Sequence, residues 1–158
     1  MKVPLLPASG CIAALTESER IVLAGYGNFQ DFEKGTLVIR EGDPQDRLYF
    51  VVKGAFHATL GEAGNQILLG RISEGQWFGE INIFDPQVAS ATVTAKESST
   101  LWSIPRHQLD RFMLDHTMAS LKLVVGISEL LSARVRGMIG KLEMVNLSNA
   151  MKGLYSPR

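Results

Sequence analysis

Short apolar runs separated by glycine-containing turns occupy the middle of the chain. Five β-rich runs lie between residues 35 and 105, at 36–39, 48–52, 56–60, 67–72 and 91–94. Glycine allows a tight reversal between such runs because it adopts backbone conformations that strain residues with a Cβ. The regular spacing predicts an antiparallel, jelly-roll-like β-roll, in a chain of α+β class that is mainly β.

Helical patterns lie on both sides of this predicted roll. Thr16 is followed three residues later by Glu19, which is the pattern of a capping box, and an apolar run follows at 21–23. This predicts a short N-terminal helix. After residue 105 the pattern changes to a short amphipathic helix, and a break at His116 separates it from a long C-terminal helix.

A regular apolar stripe runs along the long C-terminal helix. Its members alternate at spacings of three and four residues: Leu121, Val124, Ser128, Leu131, Val135, Met138, Leu142 and Val145. Such a stripe predicts a coiled-coil seam and therefore a homodimer through this helix. The alternative is a helix packed on its own roll, which needs a similar stripe. Gly126, Gly137 and Gly140 each cost about 1 kcal/mol in an exposed helix interior, and close helix approach at Gly137 and Gly140 would offset that cost.

Length and composition agree with one domain and an appendage. The chain has 158 residues, of which 46% are hydrophobic. We divide it into an N-terminal segment (1–14), the roll (15–115), the long helix (116–152) and a tail (153–158). Because no second hydrophobic core follows the helix, we expect no DNA-binding domain in this chain.

Charge and cysteine content exclude several classes of function. Lys plus Arg equals Asp plus Glu, 16 each, so no overall positive field attracts nucleic acid or an anionic membrane. We therefore expect no direct nucleic-acid or membrane partner. The apolar stretch at residues 3–6 is too short for a signal core, and we expect a cytoplasmic protein.

Metal and catalytic chemistry have no pattern in this chain. The single cysteine, Cys11, excludes an internal disulfide and a cysteine cluster. The three histidines, His57, His107 and His116, lack metal-ligand spacing, so we expect no metal site. No nucleophile motif is present, and we expect no enzymatic activity.

Three segments resemble a known family. They are VIREGD at 38–43, LYFVVKG at 48–54 and FGEINIF at 78–84. Over residues 15–145 the chain resembles the cyclic nucleotide-binding domain of catabolite-activator-type regulators, kinase regulatory subunits and gated channels. The resemblance implies a regulatory role in signal transduction, with a short helix in a phosphate-binding cassette and cAMP, cGMP or another small ligand bound there.

The third segment matches the start of that cassette. The resemblance places Gly79 and the backbone amides through Ile81 and Asn82 beside the cyclic phosphate. It assigns Glu80 to the ribose 2′-hydroxyl. The alternative for Glu80 is a carboxylate that only stabilises the turn, since carboxylates favour helix N-termini.

The end of the cassette departs from the family pattern. The family has an arginine that pairs with the phosphate, and an ungapped count places Ala89 at that position, with Ser90 left as a neutral donor. A charge-assisted hydrogen bond is worth about 1.5–3 kcal/mol, so its loss should weaken cyclic nucleotide binding more than tenfold.

One residue of the long helix could compensate. The same ungapped count places Arg134 over the ligand, where it either supplies the missing cation or remains a solvated helix charge. We therefore expect a dimeric regulatory sensor with weakened or altered ligand specificity, acting on an unidentified protein partner. The alternatives are a ligand-free dimerisation and interaction module of the same fold, and the sensory half of a transcription regulator.

Overall fold

Eight strands form two four-stranded antiparallel sheets in the computed structural model, which describes residues 5–154. The strands are β1 (Asn28–Phe32), β2 (Leu37–Ile39), β3 (Arg47–Lys53), β4 (Ala55–Leu60), β5 (Ile67–Ser73), β6 (Trp77–Phe78), β7 (Thr92–Ala95) and β8 (Ser99–Pro105). One sheet has the order β1-β8-β3-β6 and the other β2-β7-β4-β5. The predicted α+β fold with an antiparallel roll is confirmed.

Four helices accompany the sheets. They are α1 (Glu17–Ala24), α2 (Glu80–Phe84), α3 (Arg106–Asp115) and α4 (Thr117–Leu154). A capping box between Thr16 and Glu19 begins α1. His116 has φ −134° and ψ 63°, which interrupts the helical backbone between α3 and α4.

The periodicity in the sequence did not identify three strands, each for a physical reason. β8 is buried on both faces, with residues 101–105 all buried, so apolar and polar positions do not alternate. β1 is largely exposed and polar, and its register comes from pairing with β8. β6 has only two residues, which is too short for a period to be visible.

Two hydrophobic clusters form the core. The larger joins the first sheet to the helices and contains Phe50, Trp77, Trp102, Phe112 and Leu123. The second lies inside the roll, and its buried members are Ile39, Val51, Phe56, Phe78, Ala89, Val93, Ala95 and Leu101. A cavity between the roll and α4 borders this second cluster.

The long helix α4 has two unlike halves. Its N-terminal half packs on the roll through Ala119, Leu123 and Ile127. Residues 135–149 are all exposed, so the second half extends beyond the roll. At a rise of about 1.5 Å per residue, its 38 residues span roughly 57 Å. No helix within residues 5–154 is long and apolar enough to cross a bilayer.

The N-terminal 3₁₀ turn and α1 each make one close contact with α4. A 3₁₀ turn at Gly10–Ile12 packs so closely that a Cβ on Gly126 would overlap the carbonyl oxygen of Cys11. One turn earlier, Lys122 Nζ donates to both carboxylate oxygens of Glu19, at 2.9 and 2.8 Å. Close approach was expected at Gly137 and Gly140, but among the described residues nothing lies within 4 Å of a Cβ at either position, and the close contact is at Gly126 instead.

Candidate functional site

A cavity of about 560 Å³ lies between the roll and α4. Its walls come from β5, from the β6–α2 junction, from the loop that follows α2 and from one face of α4. Cavities of this size hold small organic molecules. All of the predicted cassette residues and Arg134 line it.

Gly79 sets the start of α2 against the neighbouring strand. Its φ of +82° lies in the left-handed region, and a Cβ there would overlap the carbonyl oxygen of Arg47. The side chain of Gln45 holds the same stretch of backbone, because its Nε2 donates to the Arg47 oxygen at 2.7 Å. Glycine is thus required for α2 to begin where it does.

Glu80 places a buried carboxylate in the cavity wall. Its side chain is 2% exposed, and Oε1 accepts a hydrogen bond from Arg134 Nη1. Oε2 is buried and has no hydrogen-bond partner among the described residues. A buried carboxylate oxygen without a donor is costly, and a ligand hydroxyl or N–H would satisfy it.

Arg134 connects α4 to the opposite wall. Besides pairing with Glu80, its Nη2 donates to the backbone oxygen of Trp77 in β6. Its side chain is 38% exposed, so the guanidinium lies at the boundary between cavity and solvent. The sequence left open whether this residue faces the roll or the solvent, and in the structure it faces the roll.

The other predicted cassette residues have local roles. Asn82 Nδ2 donates to the backbone oxygens of Gln87 and Val88, at 2.8 and 3.1 Å, and so closes the loop after α2. Ile81 and Ser90 are exposed where they line the cavity. The amide donors of Asn82 are therefore used by the protein itself.

Ala89 forms part of an apolar floor. It is 4% exposed and packs in the second hydrophobic cluster with Ile39, Phe78 and Val93. Its backbone N–H donates to Asp43 at 2.8 Å, and its carbonyl accepts from Gly42 at 2.9 Å. The Ala89 backbone is therefore held by two hydrogen bonds, and its methyl group lines the cavity in a floor made of apolar side chains.

Two cations at the rim were missed by sequence reasoning. Arg71 of β5 and Lys141 of α4 both line the cavity and are exposed. Lys141 lies seven residues after Arg134, which puts the two on one helix face, and this spacing could have indicated Lys141 as a lining residue.

The pKa of His57 is lowered, first by burial and then by the positive charges of Lys96 and Arg71. His57 pairs with Arg71 across strands β4 and β5.

The predicted seam residues divide among three environments. Leu131 packs against the core, and Val124 is half-buried. Val135 and Met138 line the cavity while remaining 51% and 58% exposed. Leu121, Leu142 and Val145 face solvent, and the exposed Ser128 donates its hydroxyl to the Val124 carbonyl at 2.9 Å. One stripe therefore serves the roll, the cavity and the solvent-facing side of α4.

The part of the chain that the structure describes contains no cluster of side chains able to bind a metal ion. No group of three His, Cys, Asp or Glu side chains lies together within residues 5–154. Cys11 is 2% exposed, and burial raises the pKa of its thiol far above the ordinary value.

Comparisons with known proteins agree with this geometry. The family model for the cyclic nucleotide-binding domain matches residues 29–116. The chain is 31% identical over 114 residues to a CRP-like cAMP-activated global transcriptional regulator from Mycobacterium tuberculosis, covering 72% of this chain and 47% of that protein. The curated relatives it matches are longer, and the chain spans between 7% and 47% of their length.

Solved structures share the fold. The catabolite activator protein of Thermus thermophilus has a TM-score of 0.75 at 20% identity, covering 86% of this chain and 62% of that one. The regulatory subunit of a protein kinase A described as cAMP-independent, from Trypanosoma brucei, has a TM-score of 0.63 at 20% identity, covering 80% of this chain and 43% of that one. With a family model covering more than half of its residues, this chain belongs to the cyclic nucleotide-binding domain family.

Proposed function

We propose that this chain is a non-catalytic regulatory domain that senses a small molecule in the cavity under α4, with weakened or altered specificity for cyclic nucleotides. The observation that carries the proposal is Ala89, whose methyl group is buried in the apolar floor of the cavity. The ungapped count assigns this position to the family's phosphate-binding arginine. A phosphate buried there would lose its hydration without gaining a counter-charge, which weakens binding more than tenfold.

The buried carboxylate favours retained sensing over a ligand-free interaction module. Glu80 Oε2 is enclosed and has no donor among the described residues. An apolar side chain of similar size would pack there at less cost if the cavity took no ligand. The kinase regulatory subunit from Trypanosoma brucei, described as cAMP-independent, supports the idea that this fold can serve without cAMP.

Arg134 offers a route from the cavity to the rest of the molecule. It holds α4 to both Glu80 and the Trp77 carbonyl. A ligand that donates to Glu80 Oε2 binds the same carboxylate as Arg134, so it changes the strength of this pairing and with it the position of α4. We propose that α4 forms the homodimer and passes this change to a protein partner. The transcriptional regulator from Mycobacterium tuberculosis supports the alternative of a sensory half of a DNA-binding protein.

The test compares cyclic nucleotide binding to the wild type and to Ala89→Arg. We expect thermal shift and isothermal titration to show binding of cAMP or cGMP at least about tenfold tighter in Ala89→Arg, because the new guanidinium restores the counter-charge. Ala133→Arg adds the same charge at an exposed α4 position outside the cavity and should leave binding unchanged. Tight binding by the wild type, equal to that of Ala89→Arg, would contradict altered specificity.

A further inference from the structure

The interior of the cavity is apolar, because the side-chain amides in its wall already hydrogen-bond to the protein backbone. Ile39, Phe78, Ala89 and Val93 form the floor. Gln45 and Asn82 also line the cavity, but the amide of Gln45 donates to the Arg47 oxygen at the start of β3, and that of Asn82 donates to the loop after α2. The enclosed part therefore favours an apolar ligand group, with Glu80 Oε2 as its one buried polar atom without a partner among the described residues.

The rim has the opposite character. Among the lining residues there is one acid, Glu80, and three bases, and Arg134 already neutralises Glu80. Arg71 on β5 and Lys141 on α4 remain, and both are exposed. Lys141 lies about 10 Å along α4 from Arg134, at seven residues of 1.5 Å each. The excess positive charge therefore lies at the opening rather than at depth.

We propose that the natural ligand is an amphipathic organic anion that carries a hydroxyl or N–H donor along its body. Its apolar end lies on the floor at Ala89, its donor bonds to Glu80 Oε2, and its anionic group lies at the rim near Arg71 and Lys141. This polarity is the reverse of the family ligand, whose anionic phosphate would enter the depth of the site. The inference rests on the proposed sensing function.

A matched pair of probes tests the position of the anionic group. We use 3-hydroxydecanoate and 1,3-decanediol, which have the same chain and the same secondary hydroxyl but differ in charge. Isothermal titration at low salt should show the acid binding the wild type roughly two- to fivefold tighter than the diol, which is the worth of a partly exposed charge contact. The advantage should shrink as salt rises.

Variants assign each part of the ligand to its residues. Arg71→Gln combined with Lys141→Gln should abolish the preference for the acid and leave diol binding unchanged. Arg136→Gln, an exposed α4 charge outside the cavity, is the control and should change neither. Decanoate lacks the hydroxyl, and Glu80→Gln should remove the tighter binding of 3-hydroxydecanoate relative to decanoate. Val93→Thr should weaken binding of both 3-hydroxydecanoate and the diol, because it places a hydroxyl on the floor.

The outcomes separate this inference from the proposed function. Equal affinity for acid and diol, or an acid preference that survives the double variant, overturns the amphipathic-anion assignment. Tighter binding of cAMP than of 3-hydroxydecanoate by the wild type overturns it as well and leaves a sensing domain in place. Absence of binding by every probe and both cyclic nucleotides, in the wild type and in Ala89→Arg alike, overturns the sensing function itself.

Discussion

The carboxylate of Glu80 is buried in the cavity wall and depends on a single cation. Removing the guanidinium of Arg134 leaves that charge without a partner in a place where water cannot hydrate it well. We predict that Arg134→Gln lowers the free energy of unfolding by about 2–4 kcal/mol, near the range for a broken buried pair but reduced because Arg134 is partly exposed.

Chemical denaturation of the double variant isolates the pair itself. Glu80→Gln with Arg134→Gln should recover most of the loss, because no buried charge remains. Arg136→Gln is the matched control and should stay near the wild type. A double variant no more stable than Arg134→Gln would show that Arg134 acts through the Trp77 carbonyl rather than through Glu80.

The burial of Cys11 should make its thiol slow to react in the folded protein. Its thiol is 2% exposed, and burial raises its pKa far above the ordinary value, so very little reactive thiolate forms near neutral pH. We predict that a disulfide reagent at pH 8 labels the folded protein only as fast as the 3₁₀ turn opens, and labels it at once in denaturant. Rapid labelling of the folded protein would contradict this packing.

At the scale of elements, the contact between the 3₁₀ turn and α4 depends on Gly126. A methyl group there overlaps the Cys11 backbone, which cannot move as a flexible side chain does. We predict that Gly126→Ala destabilises the protein and accelerates Cys11 labelling, although alanine favours helix. Gly140→Ala is the control: nothing lies within 4 Å of its Cβ, and it should stabilise by up to about 1 kcal/mol.

The ion pair between α1 and α4 should make their docking sensitive to acid. The hydrogen bond from Lys122 lowers the pKa of Glu19 below its ordinary 4.5. A carboxyl whose pKa is lower in the folded state contributes stability above its unfolded pKa and loses it as the pH falls through the folded value.

We therefore predict that Lys122→Gln is less stable than the wild type at pH 7. The difference should shrink as the pH falls below the ordinary pKa of a glutamate and disappear below the lowered folded pKa of Glu19, where the carboxyl is protonated in both states. Denaturant titrations at a series of pH values measure it. A difference that persists at low pH would mean that the aliphatic stem of Lys122, rather than its charge, supports the contact.

At the scale of the whole molecule, the exposed second half of α4 carries the proposed dimer contact. Leu142 is 64% exposed there, whereas Leu131 packs against the core of its own roll. We predict that the wild type sediments as a dimer and that Leu142→Asp sediments as a folded monomer, because a charge in a coiled-coil seam is costly.

Leu131→Asp is the comparison variant and should lose stability instead. It places a carboxylate against a packed core, so its melting temperature falls whatever its oligomeric state. An unchanged mass for Leu142→Asp would remove the seam from the proposed mechanism.

The local pattern of the sequence was enough for five roll strands with turns between them and for α1 with its capping box. These features depend on neighbouring residues, whose period and spacing are visible along the chain. That Ala89 stands in place of the family's arginine stays a prediction. The strands β1 and β8 were not visible, since their register comes from pairing with each other and burial on both faces of β8 removes the alternation.

Only the tertiary structure decided how distant groups meet. Glu80 and Arg134 are 54 positions apart, and whether an arginine on α4 turns to the roll or to solvent depends on how the helix docks. The rim cations Arg71 and Lys141 lie on a strand and a helix with no local pattern in common. The apolar stripe of α4 indicated a packed surface. Because the hydrophobic effect favours contact with any apolar surface, the stripe does not specify which surface that is. Only the fold determined which members pack on the roll and which remain exposed.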